Sequence, residues 1–152
     1  MRLSVKQVLV GFVMSLLSIV AVASDKGSAD EAVALVKKAT AYMKANGSEK
    51  AFAEFNNPKG QFVDRDLYIA VFDMKGVNVA HGTNPKLVGK NLMDLKDVDG
   101  KFFIKSWYEV AAKSGSGWVD YKWTNPTTKA IEQKSTYVEK FGDYLVACGI
   151  YR

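Results

Sequence analysis

The chain has 152 residues, of which 48% are hydrophobic, 24% charged and 12% aromatic, a composition typical of one folded domain. Its 21 basic and 16 acidic residues give a net charge of +5, and opposite charges alternate along the chain, so no nucleic-acid partner is predicted. The one cysteine, Cys148, excludes a disulfide framework within the chain and zinc sites built from paired cysteines. We therefore expect a protein held together by a packed hydrophobic core.

The first 23 residues have the three-part layout of a secretory signal peptide. Arg2 and Lys6 precede an uncharged apolar run over residues 8–22, and small residues at its end fit a cleavage site. We predict that residues 1–23 are removed and that residues 24–152 form the mature domain in a bacterial periplasm. The alternative is an uncleaved segment that tethers the protein to the inner membrane, although the apolar run is shorter than the roughly 20 residues of a membrane span.

The N-terminal third of the predicted mature chain has a helical pattern. Apolar residues recur at steps of three and four over residues 28–46, where Ser28 and Glu31 form a capping box and Gly47 follows as a stop. A second, shorter helix is predicted over residues 48–55.

After Gly60 the pattern changes to β-strands. Residues 67–73 and 77–81 are rich in strand formers and flank a turn, which predicts a β-hairpin. Because alternate residues of a strand share a face, we expect Val79 and His81 to project together.

The remaining elements predict the fold class. A loop over residues 82–100 leads to a short helix over residues 102–113, and three strands follow over residues 117–123, 130–140 and 144–151. Turn signals separate consecutive strands, so we expect a meander. The sequence thus predicts an α+β fold with a long N-terminal helix, a five-stranded antiparallel sheet, and short helices over its ligand face.

The motifs of common enzyme classes are absent from the sequence. The one histidine, His81, has no partner motif for triad chemistry, and neither a phosphate-binding loop nor a dinucleotide fingerprint occurs. Residues 97–100 resemble part of a calcium loop, but Leu95 and Ser106 occupy its first and last ligand positions. We therefore expect a protein that is not an enzyme and uses no metal or cofactor.

Large amphipathic aromatic residues are dense in the sheet half. They are Tyr68, Trp107, Tyr108, Trp118, Tyr121, Trp123 and Tyr137. Strand alternation places Tyr121 with Trp123 and Lys134 with Thr136, and aromatic walls with a few polar groups suit a small ligand. A half-buried lysine beside an imidazole and a phenol is a natural clamp for a short carboxylate. The alternative is that these aromatic residues are ordinary core.

Several segments in order carry a family resemblance. They are Ala53–Gly60, Asp66–Tyr68, His81, Asn84–Asn91, Gly117–Trp123 and Lys134–Val138. With these segments the chain resembles the single Cache domain family over nearly all of its predicted mature length. The resemblance implies a PAS-like shape and extracytoplasmic sensing of short organic acids such as acetate, pyruvate, lactate or propionate. Such domains are usually the outer part of a chemoreceptor or histidine kinase, and their long helix often pairs with a second copy.

Together these observations give a functional hypothesis. The protein is predicted to be a periplasmic, sensor-type binding protein for a small carboxylate, free-standing because the chain ends just after the last strand, and possible partners are a membrane chemoreceptor, kinase or transporter. The predicted ligand-binding residues are Tyr68, His81, Trp107, Tyr121, Trp123 and Lys134, with Lys134 neutralising the carboxylate. A homodimer through the N-terminal helix is a further prediction. The alternative is a partner-docking subunit of a membrane sensor or transporter, in which the aromatic box is structural core.

Overall fold

The computed structural model describes residues 25–152, so the predicted signal peptide lies outside the described residues. In this part of the chain, no helix is long and apolar enough to cross a membrane. The helices are α1 (Ala29–Asn46), α2 (Ser48–Phe55) and α3 (Phe103–Ser114), with a short 3₁₀ helix at Pro85–Leu87. The strands are β1 (Val63–Asp64), β2 (Leu67–Tyr68), β3 (Ala70–Asp73), β4 (Asn78–His81), β5 (Ser116–Thr124), β6 (Ile131–Phe141) and β7 (Tyr144–Tyr151).

Helix α1 begins and ends where its capping signals predict. The Ser28 hydroxyl accepts a hydrogen bond from the Glu31 backbone N–H, and the Glu31 carboxylate accepts one from the Ser28 N–H at 2.7 Å. Gly47 follows the helix at a φ of +81°, a conformation that glycine adopts without steric cost. The buried stripe of the helix consists of Ala32, Val36, Ala39, Thr40 and Met43. This stripe packs on the sheet, mainly on β7 and β6, within the same chain; the homodimer stays a prediction.

The main sheet has five antiparallel strands in the order β4-β3-β7-β6-β5. Strands β5, β6 and β7 are neighbours in this order, so the predicted meander is confirmed. The turn at Gly142 and Asp143 pairs Phe141 with Tyr144, and this register extends along the whole β6–β7 hairpin. The predicted α+β fold is likewise confirmed.

One predicted strand is divided in two. Residues 67–73 were expected to form a single strand, but Leu67 and Tyr68 pair with Val63 and Asp64 in a separate two-stranded sheet. The turn between β1 and β2 contacts the segment just before α1, because the Asp66 carboxylate accepts the Gly27 N–H at 2.7 Å. The chain then enters the main sheet only at Ala70.

A β-bulge lies in β4. Ala70 pairs with His81 and Val71 with Ala80, whereas Phe72 pairs with Asn78, which leaves Val79 as the extra residue. Val79 packs on the α1 side of the sheet, whereas His81 lines a cavity on the other side. The prediction that these two side chains project together is therefore wrong, because the bulge interrupts the alternation.

The two faces of the sheet are covered differently. Helices α1 and α2 pack on one face around Val36, Phe55 and Val146. Helix α3 and the loop before it cover the other face around Phe72, Trp107 and Leu145. The candidate site lies on this second face, between α3 and the ends of the strands.

Candidate ligand-binding site

A cavity of about 30 Å³ lies between α3 and the sheet. A buried water needs about 10–15 Å³ of such space, so the cavity has room for roughly two water-sized groups. Its lining includes all six residues predicted from the sequence: Tyr68, His81, Trp107, Tyr121, Trp123 and Lys134. These residues come from β2, β4, α3, β5 and β6, so five elements converge on one small space.

Lys134 is the central charged residue of this cavity. It lies in the middle of β6, paired with Tyr121 on one side and Tyr151 on the other, and only 2% of its surface is exposed. Its Nζ donates hydrogen bonds to the Tyr68 hydroxyl at 2.7 Å and to the Tyr151 hydroxyl at 3.0 Å. The same ammonium group lies 4.3 Å and 4.6 Å from the centres of these two rings. The lysine is therefore held by two phenols rather than by an acid.

The buried ammonium lacks a carboxylate partner. Among residues 25–152, Lys134 forms no ion pair with an aspartate or glutamate. The hydroxyls of Tyr151 and Tyr121 do not supply a negative charge, because burial raises the pKa of both phenols far above the usual range. A buried charge is costly unless it is paired, so this site favours an anion brought in from outside.

His81 contributes a neutral imidazole. Its Nδ1 accepts the backbone N–H of Asn84 at 3.0 Å, which assigns the ring proton to Nε2. Burial, and then the positive charge of Lys134, lowers the pKa of His81 to about 3. The ring packs on Tyr68 with its centre 4.9 Å away, and its Nε2–H forms no hydrogen bond with a residue of the described chain. A donor is therefore available beside the lysine.

The rest of the wall is aromatic. Phe103 of α3 stacks on Tyr121 with ring centres 4.1 Å apart, and the Tyr121 hydroxyl is hydrogen-bonded to Thr136. Trp107 is one helical turn further along α3, and its buried indole N–H has no hydrogen-bond partner in the described chain. Trp123 lies beside Phe103 with ring centres 5.1 Å apart. The cavity thus combines flat apolar walls with unused hydrogen-bond donors.

Three aromatic residues of the sequence pattern lie outside the cavity. The Tyr108 hydroxyl donates to the Asp73 carbonyl, at the far end of β3. Trp118 and Tyr137 contact each other across β5 and β6, with ring centres 5.5 Å apart, and Trp118 is 39% exposed. Trp118 differs in strand parity from Tyr121, and Tyr137 is its partner in the neighbouring strand, so both side chains face the other side of the sheet.

Two residues important to the site were missed in the sequence. Tyr151 accepts a hydrogen bond from Lys134, and its hydroxyl donates one to the Thr124 carbonyl at 2.9 Å. Gly149 leaves the space that the lysine stem occupies, since a Cβ at this position would lie 2.2 Å from Lys134 Cε. The two-residue turn after Phe141 could have revealed Tyr151, because that turn fixes the register that pairs it with Lys134.

Neither a reactive thiol nor a metal site is found in the described part of the chain. Cys148 is 1% exposed, and burial raises the pKa of its thiol to about 12, which makes it an unreactive core residue. Within residues 25–152, no cluster of histidine, cysteine and acidic side chains could hold a metal ion.

Comparison with known proteins identifies the family. Residues 3–152 match the family model of the Single Cache domain 2. The chain belongs to this family. Cache domains are extracytoplasmic sensor domains of chemoreceptors and histidine kinases rather than enzymes, so the predicted family and the predicted non-enzymatic character are confirmed.

Two curated proteins are similar to this Cache domain over part of its length. The sensor histidine kinase MctS of Rhizobium johnstonii is 34% identical over 89 residues, which are 57% of this chain and 19% of the kinase. The methyl-accepting chemotaxis protein McpP of Pseudomonas putida is 27% identical over 90 residues, which are 58% of this chain and 16% of that protein. The matched part is therefore less than a fifth of either relative.

Solved structures have the same fold. A methyl-accepting chemotaxis protein from Vibrio parahaemolyticus is 31% identical, with a TM-score of 0.68 over 80% of this chain and 86% of that chain. A periplasmic sensor domain of a chemotaxis protein is 25% identical, with a TM-score of 0.63 over 80% and 88%. A Cache chemosensory domain studied for carboxylic acid recognition is 23% identical, with a TM-score of 0.68 over 80% and 91%, and shows likeness of fold alone.

Proposed function

We propose that this Cache domain binds a short carboxylic acid, such as acetate, pyruvate, lactate or propionate, as the input to signal transduction. The observation that carries the proposal is the buried ammonium of Lys134, which has no carboxylate partner in the described chain and faces a small aromatic cavity. A ligand carboxylate would supply the missing charge, and charge-assisted hydrogen bonds are strong where water is excluded.

The shape and polarity of the cavity support an acid of two or three carbons. A free volume of about 30 Å³ suits a carboxylate with a short substituent and excludes an amino acid with a large side chain. His81 and Trp107 also line the cavity, and the Nε2–H of His81 and the indole N–H of Trp107 form no hydrogen bond within the described chain. A Cache chemosensory domain of the same fold recognises a carboxylic acid, so the fold itself can accommodate this ligand class.

The setting of this activity is also part of the proposal. The domain acts in the periplasm once residues 1–23 have been removed, and residues 24–152 form the sensor. Its output passes to a membrane chemoreceptor, kinase or transporter, consistent with the sensor kinase and chemoreceptor among its relatives.

Replacing Lys134 with methionine tests the proposal. Acids from acetate to lactate are titrated calorimetrically into the purified protein, with amines and purines as comparison ligands. We expect Lys134→Met to weaken acid binding by at least about 30-fold, because truncation of one partner of a buried charge pair costs about 2–5 kcal/mol. At 100 times its dissociation constant, the acid should stabilise the wild type by about 2.7 kcal/mol.

Lys140→Met is the matched control. Lys140 lies in the same strand but is exposed, so this variant removes an equal charge without touching the cavity. We expect it to retain wild-type affinity. Unchanged acid affinity in a folded Lys134→Met variant would contradict the proposed clamp. A wild type that responds to no small molecule would favour the docking subunit instead.

A further inference from the structure

The cavity around Lys134 adjoins a second, outer space. This vestibule has a volume of about 230 Å³ and is lined by the loop after β4 and the turn between β5 and β6. Exposed Lys129 and Thr124 border it, so it leads towards solvent. Tyr68, His81 and Trp123 line both spaces and separate them.

The three separating residues are held in different ways. The Tyr68 hydroxyl accepts a hydrogen bond from Lys134, and the His81 ring accepts one from the loop after β4. Trp123 forms no hydrogen bond within residues 25–152 through its indole, and contacts Phe103 by ring packing alone. Trp123 is therefore a steric barrier that contributes no polar group to the clamp.

The position of this barrier is fixed by the lysine cluster. The Tyr151 hydroxyl, which accepts from Lys134, donates to the carbonyl of Thr124, the residue after Trp123. The following turn is closed by the buried Asn125, whose carbonyl accepts the Lys129 N–H at 2.8 Å and whose side chain accepts the Thr127 N–H. The backbone that follows Trp123 is therefore hydrogen-bonded, through Tyr151, to the lysine cluster.

We propose that Trp123 sets the upper limit of ligand chain length in this domain. This inference rests on the proposed carboxylate binding. With the carboxylate at Lys134, a two- or three-carbon acid fits inside the barrier, whereas the chain of a longer acid has to pass through the space that the indole occupies. Removal of the indole joins the cavity to the vestibule and admits the longer chain.

The test compares straight-chain monocarboxylates from acetate to hexanoate. Their dissociation constants are measured calorimetrically on the purified wild type and on Trp123→Ala. We expect the hexanoate-to-acetate ratio of dissociation constants to fall at least about tenfold in the variant, since steric discrimination in an apolar pocket spans about 10–200-fold. Trp123→Leu, which retains an apolar side chain, is measured in parallel and should shift the ratio in the same direction. It provides the test if the alanine variant does not fold.

Trp118→Ala is the matched control, because Trp118 lies in the same strand on the opposite face of the sheet. It should keep the wild-type ratio. The proposal would be overturned if folded Trp123 variants bind acetate and keep the wild-type hexanoate-to-acetate ratio of dissociation constants. It would also be overturned if the wild type binds hexanoate as tightly as acetate. A wild type that binds no carboxylate would instead contradict the proposed function itself, so the two failures are distinguishable.

Discussion

A buried cation changes the chemistry of each residue around it. Lys134 helps to keep His81 neutral, and its hydrogen bonds orient the phenols of Tyr68 and Tyr151. The pKa of His81 is lowered from its usual 6.5 to about 3, firstly by burial and secondly by Lys134. The imidazole therefore acts as a hydrogen-bond donor over the whole physiological pH range.

The lowered pKa of His81 makes stability depend on pH. Between about pH 6.5 and pH 3 the unfolded chain binds a proton at this residue that the folded chain does not, so the stability of the fold decreases as the pH falls through this window. Above about pH 6.5, His81 is neutral in both the folded and the unfolded chain, so it no longer makes the stability depend on pH. We expect His81→Gln to remove this dependence, so that its free energy of unfolding relative to wild type rises by about 2 kcal/mol between pH 7 and pH 4.5. Urea unfolding at several pH values measures it; parallel curves for the two proteins would contradict the prediction.

Gly149 is a second residue whose role depends on Lys134. A Cβ at this position would lie 2.2 Å from Lys134 Cε and 2.4 Å from Thr136 Oγ1. We expect Gly149→Ala to destabilise the protein by about 1–3 kcal/mol, because the crowded lysine stem has to leave its well-packed position. A double-mutant cycle with Lys134→Ala measures the coupling by urea unfolding. Strictly additive effects would show that the alanine does not displace the lysine.

At the scale of elements, a short turn joins the candidate site to α1. Asp66 accepts the buried Gly27 N–H just before the helix, and Tyr68, two residues later, contacts Lys134 in the cavity. Arg65 in the same turn donates to the Lys26 carbonyl and pairs with Glu31 of the helix. The β1–β2 hairpin therefore connects the N-terminal helix to the cavity wall through hydrogen bonds and an ion pair.

Loss of the hydrogen bond between Asp66 and Gly27 should measurably lower the stability of the protein. Asp66→Ala leaves the buried Gly27 N–H without an acceptor, which should cost about 1–3 kcal/mol in urea unfolding. Asp66→Asn keeps an acceptor oxygen and should recover much of the loss. The exposed neighbour serves as control, since Asp64→Ala should have a smaller effect. Equal stability of Asp66→Ala and wild type would show that the contact contributes nothing.

For the whole molecule, the sheet separates two functions. One face buries α1 and α2 in an apolar core, and the other face carries the candidate site beneath α3. Strands β3, β6 and β7 contribute to both faces, as in β7, where Val146 packs on the α1 side and Ala147 on the cavity side. The strands that carry the candidate site therefore also support the long N-terminal helix.

Much of this organisation could be predicted from the sequence. Periodicity, capping residues and turns are local signals, and they predicted the bounds of α1 and α2 and the β5–β7 meander. The family came instead from the resemblance of several sequence segments to single Cache domains. Strand parity predicted that Tyr121 shares a face with Trp123 and Lys134 with Thr136, because alternation is a geometric property of any regular strand, and all four line the cavity. Whether the six residues bind an acid is for the titrations to decide.

Only the tertiary structure decided the features that depend on distant contacts. Tyr68 and Lys134 are 66 residues apart in the chain, so no local pattern predicts their hydrogen bond. The bulge at Val79 reversed one predicted face, since an extra residue interrupts the alternation on which the prediction relied. The sequence by itself determined which elements form and which residue types are available. Packing alone determined that the ammonium of Lys134 is buried without an ion-pair partner among residues 25–152, because burial and pairing arise only when separate segments meet.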